Sequence, residues 1–306
     1  MTSDRPTTGA FAHRLQDRPS LTAEAVTMAR ALEHLKPEKA RIVDDPWAQL
    51  FLSRASRSAL RAWSGSLTGR TLRRLGVTGT SWVPLRHRYI DDRLVALLDQ
   101  GAAQVVLLGA GYDTRAYRLA AKLDGRPVFE VDLPAISRAK AAIIARHAAD
   151  FPSAHVVRVE IDFEQQALAD VLVDAGLEVG GVTFVTWEGV PMYLTRAAVK
   201  ATLDAVHTVT GEGSEIAHDM WTVVDDPGPL GTARRLAPGA LSFIGEPVTF
   251  CIHPEDIGAF YERHGFTVVD TVTGEDLVAR YAGGSRALID PSMYAVTARR
   301  LPDRAR

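Results

Sequence analysis

The chain has 306 residues, is 46% hydrophobic and 24% charged, and carries a net charge of −2. That composition suits a globular protein with a large core; it excludes a dedicated nucleic-acid binder, which would show a basic excess, and the lone Cys251 excludes a disulfide framework or cysteine zinc cluster. No run of about twenty apolar residues exists to cross a membrane, and the N-terminal residues lack an apolar signal core, so a cytoplasmic protein with no membrane partner is expected.

Residues 1 to about 20 are polar and expected to fray. From Leu21 the pattern turns helical, with Ala25, Met28, Ala29 and Leu32 on one face. A second helical run is expected after Asp45-Pro46, with Trp47, Leu50 and Phe51 as its apolar side. Ser53 to Pro84 reads as short helices and a connection. The spacing then predicts a helix over Arg86–Gln100 and a strand at Val105–Leu108. Further pairs follow: helix Thr114–Leu123 with strand Val128–Val131, helix Ala135–Ala149 with strand Val156–Val159, helix Ala167–Ala175 with strand Val182–Val185, and helix Arg196–Val209 with strand Glu215–Ala217. Thr222 to Pro247 is irregular, helix Pro254–His264 leads into Phe266–Val269, and Met293–Ala298 is the last strand. Short β-rich runs alternating with helices of ten to fifteen residues make βαβ units and a mostly parallel sheet. The division expected is a helical cap over 1–85 and an α/β domain over 86–306, with an inserted lid segment at about 222–247.

Gly109, Ala110 and Gly111 end the first strand of this set and open a helix, where ligands bind in such sheets. A dinucleotide fingerprint needs glycine at position 114, and the chain has Thr114. That counts against an NAD(P)-dependent reductase and favours a cofactor without a pyrophosphate. Asp132 ends the second strand about 20 residues on, where a carboxylate can accept from both ribose hydroxyls; before Leu133-Pro134 it could equally cap a helix. Glu130 competes for the ribose, but strand alternation points it elsewhere. Asp162 follows the third strand.

Gln104-Val-Val-Leu-Leu-Gly-Ala-Gly-Tyr-Asp-Thr-Arg-Ala-Tyr-Arg-Leu119, Val128-Phe-Glu-Val-Asp-Leu-Pro134 with Lys140, and Trp187-Glu-Gly-Val-Pro-Met-Tyr-Leu194 resemble the motifs of the leucine carboxyl and polyketide carboxyl methyltransferase family. Thr22-Ala23, Arg30-Ala31 and Asp44-Asp45-Pro46 are similar to the N-terminal signature of its bacterial, specialised-metabolite branch. The likeness runs from about Leu21 to the end of the chain. It implies a class I methyltransferase fold, Rossmann-like, with a seven-stranded sheet, an N-terminal helical lid and S-adenosyl-L-methionine as cofactor, leaving S-adenosyl-L-homocysteine as product.

Carried onto this chain, the resemblance implies that Arg88 pairs with the carboxylate of the cofactor's methionine part, where a planar guanidinium suits bidentate binding. It implies that Gly109 lines the methionyl group, that Asp132 and Leu133 meet the ribose, that Asp162 and Phe163 flank adenine, and that Glu188 faces the α-amino group. The family more often has Asp-Leu at 162–163. Arg30 is a further carboxylate contact or else a surface helix charge. The acceptor expected is a small metabolite, with carboxylate O-methylation preferred over base-assisted O-, N- or C-methylation, in a monomer or homodimer. A non-catalytic cofactor-binding member is a further alternative.

A carboxylate nucleophile is ionised at neutral pH and needs no base, whereas a phenol, amine or carbon would benefit from one. Tyr193, His218 and Asp219 are the candidates for base or orienter, each with a packing alternative. Aromatics at Trp47, Phe51, Trp63, Trp82, Trp221 and Phe243 are expected to enclose a flat or apolar acceptor.

Overall fold

Strands β1 (Gln104–Leu108), β2 (Val128–Asp132), β3 (Val156–Glu160), β4 (Thr183–Trp187), β5 (Glu215–Trp221), β6 (Phe266–Thr273) and β7 (Met293–Arg300) form one sheet in the order β3-β2-β1-β4-β5-β7-β6. The first five run parallel, and β7 is antiparallel to both β5 and β6. The computed structural model describes residues 21–67, 71, 82–162, 165–222, 248–283 and 289–302.

The apolar runs become strands because both faces are covered. In β1, Val105 and Leu107 pack with Leu85, Ile90 and Leu94, while Val106 and Leu108 face a second cluster with Val185, Leu203 and Ile216. A strand buried on both sides has no polar alternation, which is why these segments read as continuous hydrophobic stretches. Strand order reverses between β1 and β4, which places the turns after Leu108 and Trp187 side by side, the usual crevice for a ligand in such a sheet.

The described helices are α1 (Leu21–His34), α2 (Arg54–Gly65), α3 (Trp82–Asp99), α4 (Arg115–Arg118), α5 (Ala120–Leu123), α6 (Pro134–Arg146), α7 (Leu168–Asp174), α8 (Arg196–Val209), α9 (Pro254–Glu262) and α10 (Gly274–Tyr281). Several expectations shift, among them the end of β6, expected at Val269 and found at Thr273. The helix expected over Thr114–Leu123 is two short ones broken at Leu119, and the run after Pro46 is a 3-10 turn, Ala48–Phe51, too short for an α-helical face. Strand β5 continues four residues past Ala217 because β7 pairs with it as far as Trp221. Helix α10 was not anticipated, although its capping box, Thr273 with Asp276, is a local sequence signal. The 85/86 division falls inside α3, and the expected fraying of residues 1 to 20 and most of the inserted segment lie outside the described residues.

Candidate cofactor site

Gly109 and Gly111 both have positive φ, +64° and +44°, a conformation that L side chains rarely adopt. They differ in surroundings. A Cβ on Gly109 would lie 2.6 Å from Val190 Cγ2, so its bareness admits the turn after β4; a Cβ on Gly111 would meet nothing closer than 3.8 Å. Gly111 therefore leaves the open approach. Thr114 is fully buried. Its hydroxyl donates to Asp45 Oδ2 at 2.8 Å, and the same carboxylate oxygen takes Arg30 Nη1 at 2.8 Å. Arg30 Nη2 donates to the Tyr112 carbonyl at 2.7 Å. Arg30 is thus turned inward, latching α1 to the glycine loop, with both Nη groups engaged by protein; this corrects its reading as a surface charge.

Asp132 caps no helix. Its Oδ2 accepts from Gly111 N at 2.6 Å and its Oδ1 from Leu133 N at 2.7 Å, which aims the carboxylate across the mouth of the loop. Burial raises its pKa despite these two bonds, so the group gains from further donors such as two ribose hydroxyls. Glu130 points away as expected, paired with Lys140 at 2.8 Å. Asp162 lies just beyond β3 and accepts from Gln165 Nε2 at 2.8 Å; Phe163 is outside the described residues.

At the other end, Arg88 stands away from the crevice. It pairs with Asp92 at 2.8 Å, both side chains 46% exposed, and its guanidinium lies 5.5 Å from the Tyr281 ring centre. The guanidinium that reaches the crevice is Arg86, which is buried. Its Nε donates to Glu188 Oε1 at 2.8 Å and its Nη1 bonds Asp219. Its Nη2 faces Gly189, where a Cβ would sit 3.2 Å away. Arg86 and Arg88 are two positions apart, about 200° around a helix, which turns one inward and the other out.

Glu188 also takes His87 Nδ1 at 2.8 Å and Arg115 Nη2 at 2.6 Å. Arg115, 1% exposed, donates in addition to Asp91 at 2.6 Å and pairs with Asp113. Burial pushes the Glu188 carboxyl up, but the charges of Arg115 and Arg86 and the hydrogen bond from His87 outweigh it and hold the group well below the ordinary carboxylate range. Asp113 is held down against burial in the same way by Arg115. Sequence reasoning missed Arg86, His87, Asp113 and Arg115 as site residues, although the last two lie within the Asp113-Thr-Arg-Ala-Tyr-Arg-Leu119 element that carried the resemblance.

The base candidates are not gathered at the mouth. His218 is fully buried inside β5 between Trp187 and Tyr261, bonded to the Tyr261 hydroxyl and to the Asp219 carbonyl. Burial lowers its pKa, so the ring is neutral and enclosed. Asp219, also fully buried, accepts from Gly189 N at 2.6 Å and Trp82 Nε1 at 3.4 Å besides Arg86. It orients the turn after β4. Tyr193 ends the 3-10 turn Pro191–Tyr193, half-buried. Several aromatics assigned to an acceptor lid instead seat the cap: Trp47 stacks on Phe151 at 5.1 Å, Phe51 on Tyr112 at 5.3 Å, and Trp82 is buried. Phe243 is outside the described residues.

The model of the leucine carboxyl methyltransferase family matches residues 23–207. A Mycolicibacterium paratuberculosis protein provisionally named an S-adenosyl-L-methionine-dependent methyltransferase is 28% identical over 270 residues, covering 83% of each chain. A similarly named Mycobacterium bovis protein is 31% identical over 212 residues, 69% of this chain and 67% of its own. A DUF574 family protein from Streptomyces avermitilis superposes with a TM-score of 0.56 at 18% identity, covering 89% of this chain and 96% of its own, a likeness of fold.

Proposed function

The chain belongs to the leucine carboxyl methyltransferase family and is an S-adenosylmethionine-dependent methyltransferase, and on that premise we propose that its acceptor is a small-molecule carboxylate. The observation that carries this is the sealing of His218 and Asp219. With neither able to take a proton from an acceptor, the nucleophile best served is one already ionised at neutral pH. The sequence features shared with the specialised-metabolite branch support a metabolite over a protein C-terminus.

The bound cofactor supplies a methyl group on a positively charged sulfur, open to in-line attack by the acceptor oxygen. In this reading Asp132 accepts from the ribose hydroxyls, Asp162 borders the adenine with Phe163, Gly109–Gly111 line the methionyl chain, and Arg86 Nη2 donates to its carboxylate. Fit to such a group is favourable on two counts: the open backbone at Gly111, and buried polar atoms at the Glu188 end. Tyr193 orients the acceptor, and exclusion of water around it strengthens every charge interaction in the crevice.

The experiment is incubation with methyl-labelled cofactor and a panel of aromatic and aliphatic carboxylic acids, phenols and amines. A methyl ester releases labelled methanol in mild alkali, while methyl ethers, N-methyl and C-methyl products do not. Alkali-labile label on an acid of the panel is expected. Alkali-stable label would replace the carboxylate with a hydroxyl, nitrogen or carbon nucleophile.

A further inference from the structure

His87 follows Arg86 on α3 and is 2% exposed, yet its two ring nitrogens stand in different surroundings. Nδ1 lies 2.8 Å and 3.0 Å from the two oxygens of Glu188. An ionised carboxylate only accepts, so Nδ1 carries the ring proton and donates. Burial and then the Arg115 charge hold the imidazole below its ordinary pKa, which keeps the ring neutral and leaves a lone pair on Nε2. That nitrogen is buried with no hydrogen-bond partner. The charged atom facing it, Asp113 Oδ1 at 4.0 Å, is also an acceptor. Two acceptors across such a gap cannot bond each other, whereas a donor between them bonds both. Glu188 lies on the opposite edge of the ring, at Nδ1, so the two acceptors that face each other here are His87 Nε2 and Asp113 Oδ1.

We propose that His87 is a cofactor-contact residue: its Nε2 accepts one N–H of the cofactor's α-ammonium, with Asp113 Oδ1 accepting a second. This rests on the cofactor placement described above and extends it to residues that placement did not contain. Two acceptors 4.0 Å apart match two of the three donors of an ammonium. A divalent ion fits poorly. Glu188 and Asp113 already carry the guanidiniums of Arg86 and Arg115, so their two charges are offset, and a buried double charge beside two cations would go uncompensated. The amino-acid end of the cofactor is a zwitterion with no net charge, and its carboxylate has Arg86 Nη2 at hand.

The test is calorimetric titration of the full chain with S-adenosylhomocysteine and with its deaminated counterpart, adenosine joined through sulfur to butyrate. His87→Asn keeps an amide N–H near the Nδ1 position for Glu188 and removes the acceptor at Nε2; His87→Gln returns an amide oxygen near Nε2. The wild type should prefer S-adenosylhomocysteine by at least about tenfold, as expected for a hydrogen bond to a charged group. His87→Asn should lose most of that preference while binding the deaminated ligand as before, and His87→Gln should keep it. A His87→Asn variant that retains the preference, or that weakens both ligands equally, overturns the inference and leaves the cofactor placement standing. So does Mg2+, Mn2+ or Zn2+ binding to the wild type that the variant abolishes. If the wild type binds neither nucleoside, the cofactor placement itself falls.

Discussion

The two ends of the candidate cofactor site hold their carboxylates by opposite means. At the glycine-loop end, proposed above for the ribose, Asp132 is positioned by two backbone N–H groups, from Gly111 and Leu133. At the methionine end Glu188 is positioned by three side chains, Arg86, His87 and Arg115, drawn from α3 and α4. A backbone-held acceptor depends on local geometry alone and keeps its accessible lone pairs in one place. A side-chain network depends on every member, and each buried charge removed leaves another without its partner. The first end should therefore fail locally when mutated, and the second should fail together with the fold.

Arg115→Met is the most damaging break. It leaves Asp91, Asp113 and Glu188 each short of a buried cation, with an expected loss of about 3–5 kcal/mol in denaturant unfolding; an unchanged midpoint would show that the network is ornamental. Acid should dismantle the same end gradually. His87 and His218 have folded pKa values below their ordinary 6.5, so as pH falls below 6.5 the unfolded chain binds those protons first and stability declines. Asp91, Asp113 and Glu188 are depressed, so the stability they contribute is complete above about pH 4.5 and is lost as pH falls through their lowered values. A Tm measured from pH 8 to 3 should fall below pH 6.5 and steepen below 4.5, and a flat profile would refute both halves.

Asp132→Ala tests the other end. It should weaken S-adenosylhomocysteine by about 1–3 kcal/mol through lost charged hydrogen bonds, with Tm moving far less than in Arg115→Met; full affinity would remove Asp132 from the ribose. The smallest effect belongs to Arg88→Ala, which breaks an exposed pair with Asp92 and should change stability by less than about 0.5 kcal/mol without altering cofactor affinity in calorimetry. A large loss of affinity would return Arg88 to the site.

The sheet, its five parallel strands and the place of Asp132 beside the glycine loop were legible in the sequence because each is written locally, as an apolar run or a residue at a strand end. The methionine end was legible only in part. Arg86 and Arg88 look alike in composition, but Arg86, Ile90 and Leu94 share a helical stripe that is buried, while Arg88 and Asp92 form an exposed pair four apart. Reading that period through α3 would have chosen Arg86. His218 was misplaced for another reason. Ending β5 at Ala217 put His218 at a strand terminus, and only the antiparallel pairing with β7, more than seventy residues away, carries the strand on and buries it. No local pattern contains that contact. The acceptor side was assigned to segments of irregular composition, and most of the one at 222–247 lies outside the described residues.

The latch at Arg30 has one more implication. Asp45, from the cap, and Thr114, from the glycine loop, share Arg30, so ordering of the cap and ordering of the loop are thermodynamically linked. Such coupling is reciprocal. Whatever steadies the loop, a bound nucleoside included, raises the protection of α1 amides against exchange with solvent, and whatever loosens α1 is felt as weaker binding some eighty residues further along the chain.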